Sequence, residues 1–405
     1  MIKKGLSVFI CGLFLLLLGA RSGQAAPVPV QLGIDRIDEY QSLFAGHRVA
    51  LITNATGINS QWCSSAAVLA EKMNLVAIWA PEHGFRSQIA AGEKTGNMTD
   101  ASSGLPVYSL YGDTRRPSAD MLAEVDLVAF DIQDIGTRHY TYVSTMVYAM
   151  QACAEAGKRF VVLDRPNPIG GAVEGPVLRP GLESFIGLYP IPLRHGMTVG
   201  ELARYYNAVY HIGADLQVVP LKGWRRSLLV EETTVPWVMT SPNIPTPMSA
   251  LAYAATGIFG GTNFSEGVGT TLPFELAGAP WIDGEQLAAL MNNRQLPGVL
   301  FRPVWFTPQF GRYKDTPCGG VQLHILDKHA FEAVRTGAAL FETMRDLSGG
   351  QLTYTLSGEQ FMLDKLQGDP ALRLGAAPLE ELLLKWQKEC LAFRQAVKPY
   401  LLYEE

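Results

Sequence analysis

The sequence predicts an α/β fold in which helices cover both faces of a parallel sheet. Two observations support this prediction. Short apolar runs rich in β-branched residues alternate with helix-like stretches between Arg48 and Asn167, as in chains that wind a sheet and helices in turn. The runs are apolar with little alternation, which is typical of strands buried on both faces. The first half of the chain therefore has the pattern of a Rossmann-like domain.

Four runs are predicted strands, and two of the stretches between them are predicted helices. The strands are RVALITN (48–54), NLVAIWAPE (74–82), VDLVAFDIQD (125–134) and RFVVLDRPN (159–167). The helix-like stretches are SSAAVLAEKM and TYVSTMVYAMQACAEAG. The second of them reaches Gly157, and glycine commonly follows the last turn of a helix.

A Pro-rich passage from Pro166 to Pro192 interrupts this pattern, and the helix-like MTVGELARYYNAVYHIG and the strand-like DLQVVPL follow it. Four prolines between Pro236 and Pro247 indicate a boundary near Ser249. We therefore predict an N-terminal domain at 27–248 and a smaller α+β domain at 249–405. The closing segment LEELLLKWQKECLAFRQAV has apolar residues at helical spacing, which favours a terminal helix docked on the core.

The first 26 residues have the features of a secretory signal peptide. Lysines precede the apolar run GLSVFICGLFLLLLGA, and the small residues of GQAA end at Ala26. The run is short for a membrane span, so cleavage is favoured over an uncleaved anchor. The mature protein is expected to be exported to the periplasm or secreted, with no membrane span. Four cysteines remain after cleavage, and we expect buried free thiols.

Composition excludes several classes of protein. The chain has 405 residues, a net charge of −5 and 18% charged residues, without a low-complexity tract. Such a chain is globular. It lacks the clustered Lys and Arg that a nucleic-acid binder needs, so no nucleic-acid partner is expected.

Polar residues follow each of the four predicted strands. They are Asn54, then Glu82 and His83, then Asp131, Gln133 and Asp134, and finally Asp164 and Arg165. Ligands of open parallel sheets bind beyond the carboxyl ends of the strands. Four coincident polar ends favour an active-site crevice over ordinary loops and helix caps.

No cofactor is expected in this crevice. No predicted strand is followed by G-x-G-x-x-G, and the chain has no P-loop, no G-x-S-x-G and no H-E-x-x-H, so nicotinamide, flavin and nucleotide sites are disfavoured. His83, His139, His195 and His324 are scattered without a local ligand pair. We therefore predict no metal site.

Carboxylates without a cofactor indicate acid and base chemistry, such as glycoside hydrolysis. Glu82 is the best candidate acid, because it follows the apolar LVAIWAP and an apolar wall favours the protonated form of a carboxyl group. Its alternative roles are a helix cap or an ion pair with Arg86. Asp131 and Asp134 are the candidates for a second group, and Arg138 and Arg165 could be their ion-pair partners or clamps for an anionic substrate. The aromatic residues that could stack on sugars are Trp79, Tyr140, Tyr142 and Phe264.

Longer phrases of the sequence resemble one family. They are LITNATG, APEHGFR, FDIQDIGTRHYTY, VLDRPNPIGG, RHGMTVGELA, SPNIPTP, GTNFSEGVGTTLPFE and CGGVQLHI, in this order from about Arg48 to the C-terminus. They resemble the exo-β-N-acetylmuramidase family of glycoside hydrolases, formerly a domain of unknown function. The resemblance implies a cleft between a Rossmann-like catalytic domain and the smaller domain. It also implies release of N-acetylmuramic acid from the non-reducing ends of peptidoglycan fragments.

The resemblance places the general acid on Glu82, within PEHGFR. Ser87 stands where we expect glycine after GFR, and serine fits unless that position needs positive φ. A muramic-acid-specific site needs a cation for the lactyl carboxylate, for which Arg138, Arg165 and Arg194 are candidates. The full set of predicted substrate-binding residues is Asn54, His83, Arg86, Gln133, Arg138, Tyr140, Arg165, Asn167, Arg194, His195, Asn243, Asn263 and Glu266.

Two other classes remain open at this point. An exported sugar- or muropeptide-binding protein would also have two domains around a cleft, although it would not need so many ionisable groups. A metal-dependent cell-wall amidase or deacetylase is the third. Within the glycosidase hypothesis, retaining, inverting and acetamido-assisted mechanisms are all open.

Overall fold

The computed structural model describes residues 26–90, 92–94, 96–112 and 114–405 of the chain. The predicted signal peptide, except for Ala26, therefore lies outside the described residues. In the part that is described, no helix is long and apolar enough to cross a membrane.

A seven-stranded sheet forms the centre of the N-terminal domain. In chain order its strands are β1 (Val49–Thr53), β2 (Leu75–Ala80), β3 (Met98–Thr99), β4 (Pro106–Ser109), β5 (Leu127–Asp131), β6 (Arg159–Leu163) and, after a separate hairpin, β9 (Asp215–Val219). The spatial order is β3-β4-β2-β1-β5-β6-β9. All neighbours run parallel except β3, which is antiparallel to β4. This mainly parallel sheet with helices and a C-terminal domain confirms the predicted fold class.

The central strands form because both of their faces are buried. Every residue of β1 and of β5 is inaccessible, so each of these strands must be apolar on both sides. The sequence prediction located β1, β2, β5, β6 and β9 but missed β4, whose PVYS is short and half-exposed.

The helices around the sheet begin at capping residues. They are α1 (Ser65–Lys72), α2 (Ala119–Ala123), α3 (Tyr142–Ala156) and α4 (Val199–Val209). Ser64, Ser118 and Thr198 accept hydrogen bonds from the first turns of α1, α2 and α4, as N-cap residues do. Helix α3 ends at Gly157 with φ of 64°, which confirms the predicted end.

A two-stranded hairpin, β7 (Glu174–Val177) and β8 (Pro192–Arg194), occupies the Pro-rich passage. A 3-10 helix (Ile34–Leu43) precedes β1, and others span Val230–Glu232, Gly257–Gly261 and Lys398–Tyr400.

The C-terminal domain contains a three-stranded antiparallel sheet in the order β10-β12-β11. Its strands are β10 (Leu276–Ala279), β11 (Val299–Phe306) and β12 (Cys318–Ile325), and a small hairpin consists of β13 (Leu356–Ser357) and β14 (Gln360–Phe361). Its helices are α5 (Pro247–Thr256), α6 (Gly284–Asn293), α7 (Ala333–Leu347), α8 (Met362–Gln367), α9 (Ala371–Leu374) and α10 (Leu379–Val397). The predicted boundary at Ser249 falls inside the first turn of α5.

The chain after α7 returns to the N-terminal domain. Helix α10 buries Trp386, Cys390 and Phe393, which confirms a helix docked on the core, and the Cys390 thiol lies 3.3 Å from the Gly175 carbonyl of β7. The last residues also contact the first domain, because the Tyr403 hydroxyl donates to Asp164. The two domains therefore share one continuous apolar core.

All four cysteines in the described ranges are free thiols. Cys153, Cys318 and Cys390 are buried as predicted, whereas Cys63 is exposed. The expectation of burial is wrong for Cys63 because it lies in the turn before α1, outside the packed face of that helix.

Candidate active site

The parallel strands end side by side at one edge of the sheet. Thr53 of β1 is in register with Asp131 of β5, and Ile52 is in register with Trp79 of β2. Strand β4 runs parallel to β2 and ends at the same edge. The polar residues that follow these strands therefore meet in one crevice.

Glu82 is held at the bottom of this crevice and is 7% exposed. Its Oε1 accepts a hydrogen bond of 3.0 Å from the Gly92 backbone N–H. Its Oε2 accepts one of 2.5 Å from the Thr141 hydroxyl. Thr141 occupies the N-cap position of α3 but makes no side-chain cap bond there. Its hydroxyl serves Glu82 instead, so both carboxylate oxygens are fixed by neutral donors.

The turn after Glu82 contains two non-glycine residues in the left-handed region. His83 has φ of 70° and Ser87 has φ of 56°. The position at which serine replaces the expected glycine does require positive φ, so Ser87 carries backbone strain. The His83 Nδ1 lies 2.8 Å from the Ile89 carbonyl. Arg86 leaves the crevice to pair with Asp100 at 2.5 Å.

Aromatic rings form a wall of the site. Tyr140 and Tyr142 meet edge to face with centroids 4.9 Å apart. Tyr253, from α5 of the C-terminal domain, lies 5.9 Å from Tyr140 and stacks at 4.7 Å on His139. The hydroxyl of Tyr140 donates to Thr240 at 2.8 Å. The wall is therefore built by both domains, and its rings are fixed by packing and hydrogen bonds.

The buried phenol of Tyr253 is affected by Tyr140 and by the charges of carboxylates from both domains. Burial raises the pKa of Tyr253 well above its usual value, and the charges of Glu82, Asp134 and Glu266 raise it further. Burial also raises the pKa of Glu266, against the opposing effect of Arg312, which lies 3.7 Å away. Since Glu82 and Asp134 come from the first domain and Glu266 from the second, the site lies between the two domains.

Several buried polar atoms of this cleft have no hydrogen-bond partner among the described residues. They are Asp134 Oδ1, His195 Nε2, Glu266 Oε2 and both ring nitrogens of His139. Burial lowers the pKa of His139 to about 3, so this ring is neutral near pH 7. Buried polar groups in native proteins usually have partners, so these five atoms are candidates for hydrogen bonds to a polar ligand. Within the described ranges, no group of three His, Cys, Asp or Glu residues could hold a metal ion.

Asp131 was predicted to be catalytic, but both of its carboxylate oxygens are bound by other side chains of the protein. It is fully buried and paired with Arg165, whose Nε lies 2.5 Å and whose Nη2 lies 3.0 Å from its two oxygens. The Ser65 hydroxyl also donates to it. Both oxygens are therefore occupied, and the Asp131–Arg165 pair braces the strand ends instead of facing substrate.

Asp134 has one oxygen that accepts from the Gly136 N–H at 2.7 Å and lies 3.8 Å from His195 Nε2. Its other oxygen has no partner in the described part of the chain. Of the two predicted second carboxylates, Asp134 is thus the one that the structure leaves available.

The three arginines predicted to bind a lactyl carboxylate are all engaged elsewhere. Arg165 is paired with Asp131. Arg194 pairs with Glu174 and donates to the Ile169 carbonyl. Arg138 donates to the carbonyls of Pro176, Ile191 and Leu366 at 2.8 to 3.1 Å, which ties α8 to the first domain. The ion pair between Arg165 and Asp131 is one of the alternatives that the sequence left open, whereas the carbonyl partners of Arg138 had no signal in the sequence.

Five predicted amide residues are divided between the cleft and the scaffold. Asn54 Oδ1 accepts from the backbone and hydroxyl of Thr56, and its amide faces Tyr142. Gln133 donates to the Asp134 and Pro166 carbonyls, Asn167 donates to the Met197 carbonyl, and Asn263 holds the 351–353 segment. Asn243 lies half-buried in the turn before α5.

Sequence reasoning missed Tyr111, Thr141 and Tyr253. Burial, followed by the charge of Glu82, raises the pKa of Tyr111, which places this phenol beside the carboxylate. The run PVYS before Tyr111 is the sixth parallel strand of the sheet and ends at the same edge, but it is too short and too exposed to serve as a signal. Tyr253 had no local signal, because only domain packing brings α5 to the cleft.

Comparison with known proteins shows one family along almost the whole chain. The model of the exo-β-N-acetylmuramidase NamZ N-terminal domain matches residues 49–248, and that of the C-terminal domain matches residues 251–403. The peptidoglycan β-N-acetylmuramidase NamZ of Bacillus subtilis (strain 168) is 46% identical over 388 residues, which cover 94% of this chain and 93% of that protein.

Two crystal structures of DUF1343 family proteins from Bacteroides fragilis NCTC 9343 have the same fold. One is 38% identical with a TM-score of 0.85 and covers 93% of this chain and all of that one. The other is 30% identical with a TM-score of 0.76 and covers 93% of this chain and 99% of that one. The sequence, the fold and the cleft agree: the chain belongs to the exo-β-N-acetylmuramidase family.

Proposed function

We propose that this protein is an exo-acting glycoside hydrolase that releases N-acetylmuramic acid from the non-reducing ends of peptidoglycan fragments, with Glu82 as its general acid. Membership of the family supports the reaction and the substrate class. The observation that supports Glu82 is its position. Glu82 is a buried carboxylate that follows β2 on the cleft side of the sheet, and its hydrogen-bond donors among the described residues, Gly92 and Thr141, are neutral.

These contacts suit a group that changes its protonation state. A general acid gives its proton to the leaving oxygen as the glycosidic bond breaks. A hydroxyl can donate to a carboxylate or accept from a carboxylic acid, so Thr141 orients Glu82 in either state. A fixed cation in the same place would instead hold the carboxylate ionised. Asp134, with its free oxygen, supplies the second carboxylate, either toward water or toward the acetamido group of the substrate.

The aromatic wall positions the sugar. Tyr253 is partly exposed and Tyr140 nearly buried, so ring surface for a sugar comes mainly from Tyr253, while the fully buried Tyr142 supports Tyr140 from behind. Both domains contribute to this wall. The exo-acting mode of cleavage is supported by family membership.

The decisive experiment compares Glu82→Gln with wild type on a chromogenic N-acetylmuramide and on the corresponding glucosaminide. Wild type is expected to release the muramic sugar only. The variant should lose ~10²- to 10⁴-fold in kcat, the usual contribution of a general acid. Glu71→Gln, on the exposed face of α1, is the matched control. A folded Glu82→Gln protein with wild-type turnover would remove Glu82 from this role, and tight binding without product would favour a sugar-binding protein.

The proposed site of action is the periplasm or the exterior of the cell. It rests on the N-terminal run with its lysines and the following GQAA. Sequencing the amino terminus of the mature protein tests this: we expect a start close to Pro27. A cytoplasmic protein that retains Met1 would contradict export.

A further inference from the structure

Recognition of muramic acid requires a positive charge that the predicted arginines do not supply. N-acetylmuramic acid differs from N-acetylglucosamine by the lactyl ether, whose carboxylate is charged at neutral pH. A guanidinium binds a carboxylate through two parallel hydrogen bonds. Arg138, Arg165 and Arg194 are buried and already bonded to carbonyls or carboxylates, so another cation must lie at the mouth of the cleft.

The cations near Glu82 differ in their partners. Arg86 is paired with Asp100. Arg312 donates to the Phe259 and Phe264 carbonyls and lies close to Glu266. Arg115, in the loop between β4 and α2, is exposed and forms no ion pair with a carboxylate of the described residues.

Two aromatic rings hold Arg115 in place. Its guanidinium carbon lies 4.2 Å from the centroid of the Phe185 ring and 5.0 Å from that of Tyr111. The two rings are themselves in contact, with centroids 5.9 Å apart. Cation–π contacts fix the plane of a guanidinium and leave its edge available for hydrogen bonds, one of which Arg115 makes to the neutral Tyr111 phenol. Among the described residues, Arg115 is therefore oriented by neutral groups.

Tyr111 connects this cation to the general acid. The charge of Glu82 raises the pKa of the Tyr111 phenol, whereas Arg115 lowers it. Strand register supports the same connection, because Ala80 of β2 pairs with Ser109 of β4 and the Leu110 N–H donates to the Ala80 carbonyl at 2.8 Å. Glu82 and Tyr111 therefore follow neighbouring strand ends, and Arg115 lies over the Tyr111 ring.

We propose that Arg115 is the specificity-determining residue that binds the lactyl carboxylate of the terminal N-acetylmuramic acid. This inference rests on the proposed function. It assigns the discrimination between muramic acid and glucosamine to the loop after β4.

The test uses two substrates: the chromogenic N-acetylmuramide and its neutral lactyl methyl ester. For Arg115→Gln, kcat/KM on the acid should fall ~10- to 100-fold, the usual effect of removing a hydrogen bond to a charged group. On the ester kcat/KM should be unchanged, so the preference for the acid disappears. Arg115→Lys keeps the charge without the fork and should retain part of the preference.

Arg116→Gln is the matched control, because the neighbouring Arg116 turns away to pair with Glu155; it should match wild type on both substrates. Equal losses on acid and ester in Arg115→Gln, or no loss on the acid, would overturn the inference. If wild type cleaved neither substrate, the proposed function itself would fail, whereas cleavage that is insensitive to Arg115 would refute this assignment alone.

Discussion

Glu82 and Asp131 end the two strands that flank β1, and both carboxylates are buried, yet their partners are of opposite kinds. Asp131 is bound by the guanidinium of Arg165. Glu82 is bound by a hydroxyl and a backbone N–H. A buried ion pair fixes both of its members and contributes to a rigid scaffold. A carboxyl group bound by a hydroxyl has a partner that can either donate or accept a hydrogen bond. The comparison shows that the hydrogen-bond partners of a strand-end carboxylate decide whether it serves the scaffold or is available for catalysis.

The largest effect on stability is expected for Asp131→Asn. The substitution leaves the Arg165 guanidinium buried without its counter-ion, which costs about 3–5 kcal/mol of unfolding free energy. Urea denaturation measures the loss. Asp126→Asn, at the partly exposed start of the same strand, should cost much less.

Turnover by the folded fraction of Asp131→Asn should stay within a few-fold of wild type, because both Asp131 oxygens are occupied by Arg165 and Ser65. A stable Asp131→Asn protein without activity would reverse the comparison and make Asp131 a catalytic residue.

Asp164 extends the comparison to a third strand end. Like Glu82 it has hydroxyl and N–H partners, from Thr198, Gly200 and Tyr403, but it faces the C-terminal tail. Burial raises the pKa of Asp164 from 3.8 to about 7. The folded state therefore holds an extra proton between these two values, and stability falls as pH rises through that window.

The expected loss from Asp164 is on the order of 3 kcal/mol between pH 4 and pH 7. Urea titrations of wild type and Asp164→Asn across this range measure it. The variant should have a flatter profile by that amount, and an unchanged slope would mean that Asp164 is ionised throughout.

A smaller effect is expected for Thr141→Val. It removes the hydroxyl that orients Glu82, so kcat should fall about 10-fold, as for loss of one hydrogen bond to a charged group. Stability should change little, because Thr141 makes no side-chain cap bond to α3. Thr141→Ser keeps the hydroxyl and should retain most of the activity. Equal kcat in the valine and serine variants would show that the contact does not matter.

The smallest effect is expected for Ser87→Gly. The turn after β2 holds Ser87 at positive φ, whereas the turn after β5 places Gly136 there. Glycine at position 87 should stabilise the protein by about 0.5–1 kcal/mol, measured as a rise in Tm. Ser87→Ala is the control, since it keeps the Cβ and should give no gain. A Tm for Ser87→Gly at or below that of wild type would show that the strain is already compensated.

Much of the fold could be predicted from local pattern. The strands β1, β2, β5, β6 and β9 and the helices α3 and α10 follow from apolar periodicity and from Gly157. Strand β4 could not be predicted, because PVYS is too short and too exposed to stand out from a loop. Because β4 was not predicted, Tyr111 and Arg115, which follow it, were not recognised as candidates for the site.

The sequence was sufficient to predict which types of residue lie in the site and which strand ends carry them. It was less informative about what each of these residues does. Glu82 was selected by its apolar wall, and the structure adds Gly92 and Thr141 around it. Arg138, Arg165 and Arg194 were candidates for the lactyl carboxylate, with an ion pair to Asp131 or Asp134 as the alternative for Arg138 and Arg165, and the structure shows that alternative for Arg165. Asp131 is 34 residues from its partner Arg165, and no local pattern encodes that contact.

Apolar periodicity and the shared direction of parallel strands were sufficient to predict the α/β class, the buried strands and the ionisable groups at their ends. The packing of the two domains was needed to learn which carboxylate is neutralised, which arginine has no counter-ion among the described residues, and that Tyr253 and Glu266 complete the cleft. Local patterns cannot encode these features, because charge and hydrogen-bond pairing depend on distances of a few ångströms between groups far apart in the chain. Those distances are fixed when the two domains pack on one core.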